Sequence, residues 1–194
     1  MRIRHTIGLL MIVALLAGCS AARNVSPKAS PKEPLYDDAP VYNTVNLHPY
    51  LQRNVLTTIN YQLPGIIPRC TKVKFNMIER DAAVFTIVDT GEQYEYALDG
   101  HTKATLREHL KKVFKPNCTK AENISGLNET DLKGIRAGDV RIGMTKKGVI
   151  HAIGYPPDHR TPSTDADEWL YWQNRFNRFR LHFDDEGTVV RIED

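Results

Sequence analysis

Cysteine is scarce in this chain, with three in 194 residues, at positions 19, 70 and 118, and no Cys-x-x-Cys pair. A dithiol redox centre is therefore not expected. Beyond residue 16 no apolar run is long enough to cross a bilayer core of about 30 Å as a helix. No Gly-x-Ser-x-Gly elbow surrounds Ser125 or Ser163, and no glycine-rich loop suited to cradling phosphate occurs. Hydrolase and nucleotide-binding chemistry thus have no visible starting point, and no catalytic residue is assigned. The acidic residues gather in turns, as in Asp184-Asp185-Glu186 and Asp165-Ala166-Asp167-Glu168. Solvation accounts for them there, without an acid–base pair in a cleft.

What the chain does have begins at its start. Arg2, Arg4 and His5 precede an apolar run over residues 7–16, and Leu16-Ala17-Gly18-Cys19 follows. The run is too short to span a membrane, and small residues before a cysteine suit a peptidase that reads an extended segment. Together these features resemble a bacterial lipoprotein signal, so residues 1–18 are expected to be removed. The resemblance implies that Cys19 carries acyl chains as a membrane anchor. Each buried methylene contributes about 0.8 kcal/mol, so several chains anchor far more durably than one. Ser20 stands where Asp usually signals inner-membrane retention in enterobacterial lipoproteins, which implies the outer membrane, facing the periplasm. Loss of Arg2 and Arg4 lowers the net charge of +3 to about +1, leaving nucleic-acid binding without electrostatic support.

With Cys19 lipidated, Cys70 and Cys118 remain as a pair in an oxidising compartment and are expected to form a disulfide. Two free buried thiols are the alternative. Residues 19–40 hold the lipidated cysteine and then Pro27, Pro31, Pro34 and Pro40, spaced too closely for helix or sheet, and read as a tether. Residues 41–118 read as a small β-meander plus helix. Residues 48–61 suggest a short helix after Pro49. Val73, Phe75 and Met77 alternate with Lys72, Lys74 and Asn76, and further strands are expected over 82–88 and 93–97, the last with Tyr94 and Tyr96 on one face. A helix over 103–114 is expected to start at Thr102 and stop before Pro116. His101 and His109 lie near it without carboxylate or cysteine ligands at metal-site spacing, and read as part of a solvated face; no metal or other cofactor is expected. Residues 119–134 read as a linker.

The C-terminal stretch is the most regular. Thr145 caps a short helix whose Val149, Ile150 and Ile153 face inward, Gly154 ends it, and Pro156 prevents its continuation. Three strands are expected over 168–173, 177–183 and 188–192, with Phe179, Leu181 and Phe183 alternating with Arg178, Arg180 and His182. The pattern Gly143-Met144-Thr145, then Val149, Ile153, Gly154 and Pro156, followed by Trp169-x-Tyr171 and a closing hairpin, resembles the SmpA/OmlA (BamE-like) family of outer-membrane lipoproteins over residues 135–194. That resemblance implies an α+β fold with a helical pair on a three-stranded antiparallel sheet, Asp131 to Ile135 contributing to the first helix although Gly134 and Gly138 interrupt it at about 1 kcal/mol each relative to Ala.

It also implies a noncatalytic, lipid-anchored protein that binds envelope proteins in outer-membrane protein assembly or envelope integrity. The same architecture resembles that of β-lactamase inhibitor proteins, so a periplasmic inhibitor or ligand-sensing module is the alternative. Trp, Tyr and Arg dominate binding hot spots. Strand alternation puts Trp169 and Tyr171 inward against the helix, which leaves Trp172, Arg175, Arg178 and Arg180, extended by Arg160, as the candidate partner surface. The partner and the oligomeric state are not encoded in any motif.

Overall fold

The structure, a computed structural model, describes Tyr36 and residues 39–194. The signal, Cys19 and nearly all of the tether lie outside the described residues. The fold is α+β, built from a mixed six-stranded sheet and a separate three-stranded antiparallel sheet.

The meander expected from alternation is present as β3 (Lys72–Ile78), β4 (Ala82–Ile87) and β5 (Gln93–Ala97). Val73, Phe75, Ala83, Phe85, Ile87, Tyr94 and Tyr96 all point into one core. Met77 does not: the register shifts between Phe75 and Met77, and the bulge turns Met77 outward. Three short strands extend the meander. β1 (Val41–Asn43) pairs with β3 and with β6 (Phe114–Lys115), and β2 (Val55–Thr57) lies parallel to β5, giving the order β2-β5-β4-β3-β1-β6.

The helix expected over 48–61 is absent and is replaced by turns and β2. Asn54 and Asn60 adopt positive φ of 50° and 51°, conformations that asparagine tolerates and a helix cannot contain, and Val55 and Thr57 are β-branched strand formers. Helix α1 (Leu106–Val113) covers the sheet with Leu106, Leu110 and Val113. Its cap is Thr105, not Thr102, because Glu108 completes a capping box with Thr105. The Thr102 hydroxyl instead meets that of Thr58 at 2.5 Å.

Helices α2 (Glu129–Ala137) and α3 (Lys146–Ile153) pack on β7 (Glu168–Trp172), β8 (Arg178–Phe183) and β9 (Val189–Glu193). Trp169 and Tyr171 are buried against Val149, as strand alternation predicts. Helix α2 begins inside the stretch expected to be a linker, and its glycines support it. Asn128 and Asp131 form a capping box, and Gly138 terminates the helix at φ 68°. Gly134 gives room to Met144, whose thioether would meet any Cβ there. The helical-propensity cost of Gly134 is thus offset by a close approach that no other residue allows.

The two sheets share one polar seam. Asn46 donates to the carbonyls of Ile135 and Ala152, at 2.8 and 3.0 Å, and Asn60 donates to that of Ile153 at 2.9 Å. These bonds satisfy carbonyls that the ends of α2 and α3 leave open. Ile150 packs against both hydrophobic cores.

Candidate interaction surface

The loop after α3 sets one side of the surface. Thr161 is buried, and its hydroxyl accepts from the backbone N–H of Leu170 at 3.0 Å, while Pro157 accepts from the N–H groups of Arg160 and Thr161. This staples a single turn to β7 and brings His159 beside Trp172, ring centroids 5.2 Å apart. On its other side His159 meets His101, from the loop after β5, at 5.4 Å. Asp99 fixes His101 by accepting from both its backbone N–H and its Nδ1, at 2.9 and 3.0 Å. Burial, together with the charges of His101 and Arg160, pushes His159 below its ordinary value, with Asp158 and Asp99 opposing.

The β7–β8 hairpin supplies the other side. Asn174 accepts from the N–H groups of Phe176 and Asn177, so the tip is an ordered turn that presents Phe176 to solvent. Phe176 is 77% exposed, and the Arg175 guanidinium lies 4.5 Å from its ring centroid.

The candidate arginines therefore separate into two groups. Arg180 donates to Glu168 at 3.0 Å within a lattice in which His182 bridges Glu168 and Glu193, and Arg191 reaches Glu193 at 3.1 Å. That face of the sheet is neutralised from within, so Arg180 is removed from the contact set. Arg160, Arg175 and Arg178 are exposed and make no ion pair among the described residues. Trp172 is half-buried, its ring held in the histidine stack. The stack itself was not legible in the sequence, because His101 and His159 are far apart in the chain and each sits in an unremarkable polar loop. His109 departs from the solvated face expected of it: its Nε2 meets the Tyr96 hydroxyl at 2.9 Å, and burial is the main cause holding its pKa down to about 4.

Cys70 and Cys118 are joined, with Cα atoms 5.4 Å apart. Among the described residues no three His, Cys, Asp or Glu side chains are placed to hold a metal ion, and no helix is long and apolar enough to cross a membrane. No protein-family model, curated protein or solved structure matches the chain. What the surface offers chemically is noncovalent: exposed guanidinium groups flanking aromatic rings that are already immobilised.

Proposed function

We propose that this protein is a noncatalytic lipoprotein of the outer membrane, fastened by acyl chains on Cys19, whose C-terminal unit is of the SmpA/OmlA kind and binds another envelope protein. The observation that carries the reading is the packing of α2 and α3 on one face of the β7-β8-β9 meander, the architecture that the resemblance of residues 135–194 implies. The lipoprotein signal ending at Cys19 adds the address. Arg160, Arg175 and Arg178, with Trp172 between the loop and the hairpin, are the contact residues in this reading, and they would meet an acidic partner surface.

Two measurements test it. Intact mass of the mature protein is expected to show acylation at Cys19, and Cys19→Ala is expected to release the chain into the soluble periplasmic extract. An unacylated terminus overturns the anchor. Crosslinked pull-down from membranes is expected to recover an envelope protein with wild type and to lose it with the triple variant Arg160→Glu, Arg175→Glu, Arg178→Glu. Recovery of a soluble hydrolase as sole partner would instead favour the inhibitor reading.

A further inference from the structure

Beside the exposed hairpin tip lies a cleft of about 510 Å³ at the open end of the C-terminal sheet. Its apolar lining includes Ile153, Phe179 and Ile192, and the two ionisable residues that line it, Asp139 and Asp194, are both acidic. Arg141 holds Asp139 at 2.9 Å, whereas Asp194 accepts a bond of 3.4 Å from Gln173. A cleft of this size is ample for an aromatic ring, since small-ligand pockets run from about 300 to 1,000 Å³. Ile192 is 38% exposed in it.

Phe176 is the most exposed of the large hydrophobic side chains among the described residues. Its neighbours in the chain are basic, Arg175 and Arg178, and they make no ion pair among the described residues. An aromatic ring with unpaired guanidinium groups and an apolar cleft with a free carboxylate are complementary in both shape class and charge. They also adjoin each other: Asn174, which organises the tip, lines the cleft. A two-fold axis beside them would bring each tip to the other copy's cleft, and both contacts would form at once.

We infer that two copies of this chain dock reciprocally, each inserting Phe176 into the cleft of the other, with Arg175 or Arg178 meeting Asp194. A doubled contact of this kind approaches the area a specific dimer needs, which one tip alone does not reach. Self-docking needs no lipid anchor. It would cover Arg175 and Arg178 and so compete with the partner binding proposed above, which makes the dimer a reserve state of the same surface.

Sedimentation velocity of the purified full-length protein in density-matched detergent tests this. A concentration-dependent dimer is expected. Phe176→Ala, which removes the tip, and Ile192→Arg, which blocks the cleft, are each expected to weaken association about thirty-fold, the loss typical of a hot-spot residue. Both side chains are solvent-exposed, so thermal midpoints close to wild type are expected and show that the variants fold. An equimolar mixture of the two variants is expected to associate more tightly than either alone, because one tip and one cleft remain intact between unlike copies. In a second arrangement, Phe176→Cys in one tagged copy and Ile192→Cys in another are expected to form a disulfide between copies. A protein that stays monomeric throughout, or a dimer indifferent to both variants, overturns the inference. So does a monomer whose Phe176→Ala variant loses its envelope partner, which would assign the tip to that partner. Acylation at Cys19 is read independently by mass, so failure here is distinct from failure of the anchor.

Discussion

Asp131 is fully buried at the start of the C-terminal unit, and its carboxylate organises two helix starts at once. It accepts from the N–H of Asn128 at 2.9 Å, from the N–H of Thr145 at 2.8 Å and from the Thr145 hydroxyl at 3.0 Å. Thr145 in turn accepts from the N–H of Gly148 at 3.0 Å, and a Cβ on Gly148 would collide with the Asp131 carboxylate. The three residues form one unit: cap, carboxylate and the empty space that admits it. Asp131→Ala is expected to cost about 3 kcal/mol in urea unfolding, since three donors lose a charged acceptor. Gly148→Ala, a change that favours an ordinary helix, is expected to destabilise as well, by about 2 kcal/mol through overpacking. A neutral Gly148→Ala would show that the carboxylate can move aside and would dismiss the unit. The Thr145 cap was legible in the sequence because its signal is local, and the role of Gly148 was not, because the group it makes room for lies in another helix.

Elements repeat that division. Strands β3 to β5 and β7 to β9 were legible because period-two alternation reports a half-buried sheet. Strands β1, β2 and β6 were not, since each has only two or three residues and is defined by its partner. The surface divides the same way: alternation separated the inward Trp169 and Tyr171 from Trp172, but the ion pairs that neutralise Arg180 come from β7. Helix α1 shows how a tertiary partner changes chemistry as well as packing. Burial holds its His109 at about 4, against 6.5 for an unperturbed imidazole. Between those values the unfolded chain takes up a proton that the folded chain refuses. The contribution of His109 is therefore fully present above about pH 6.5 and is lost as pH falls toward 4. His48, His151 and His159 are also lowered, mainly by burial, and act in the same direction. Urea midpoints at pH 7 and pH 5 are expected to differ, with about 2 kcal/mol of the difference due to His109. His109→Gln is expected to remove that share of the slope, and a slope unchanged by the substitution would place the titration elsewhere.

At the scale of the whole molecule the seam decides whether the described body unfolds in one step or two. Asn46 is 1% exposed, donates across to Ile135 and Ala152, and accepts at Oδ1 from the N–H of Arg69 at 2.8 Å. His151 returns the connection: its carbonyl accepts from the N–H of Asn46 and its Nδ1 meets the Thr44 carbonyl, both at 3.0 Å. A seam of buried, mutually satisfied polar groups is costly to open, because each group exposed to the wrong environment loses its partner. The two tryptophans of the chain, Trp169 and Trp172, both lie in the three-stranded sheet, so their fluorescence reports that sheet alone, whereas far-ultraviolet circular dichroism reports the whole. The two signals are expected to change together on unfolding by urea, as one cooperative transition. Asn46→Ala, which strands two carbonyls and one N–H, is expected to cost about 3 kcal/mol and to lower both midpoints equally. The six-stranded sheet contributes no tryptophan, so a fluorescence midpoint that stays in place while the dichroism midpoint falls would mean that the three-stranded unit stands without the seam. Equal shifts would mean that an asparagine far outside residues 135–194 belongs to the stability of that unit, and that the C-terminal fold is completed by the sheet that precedes it.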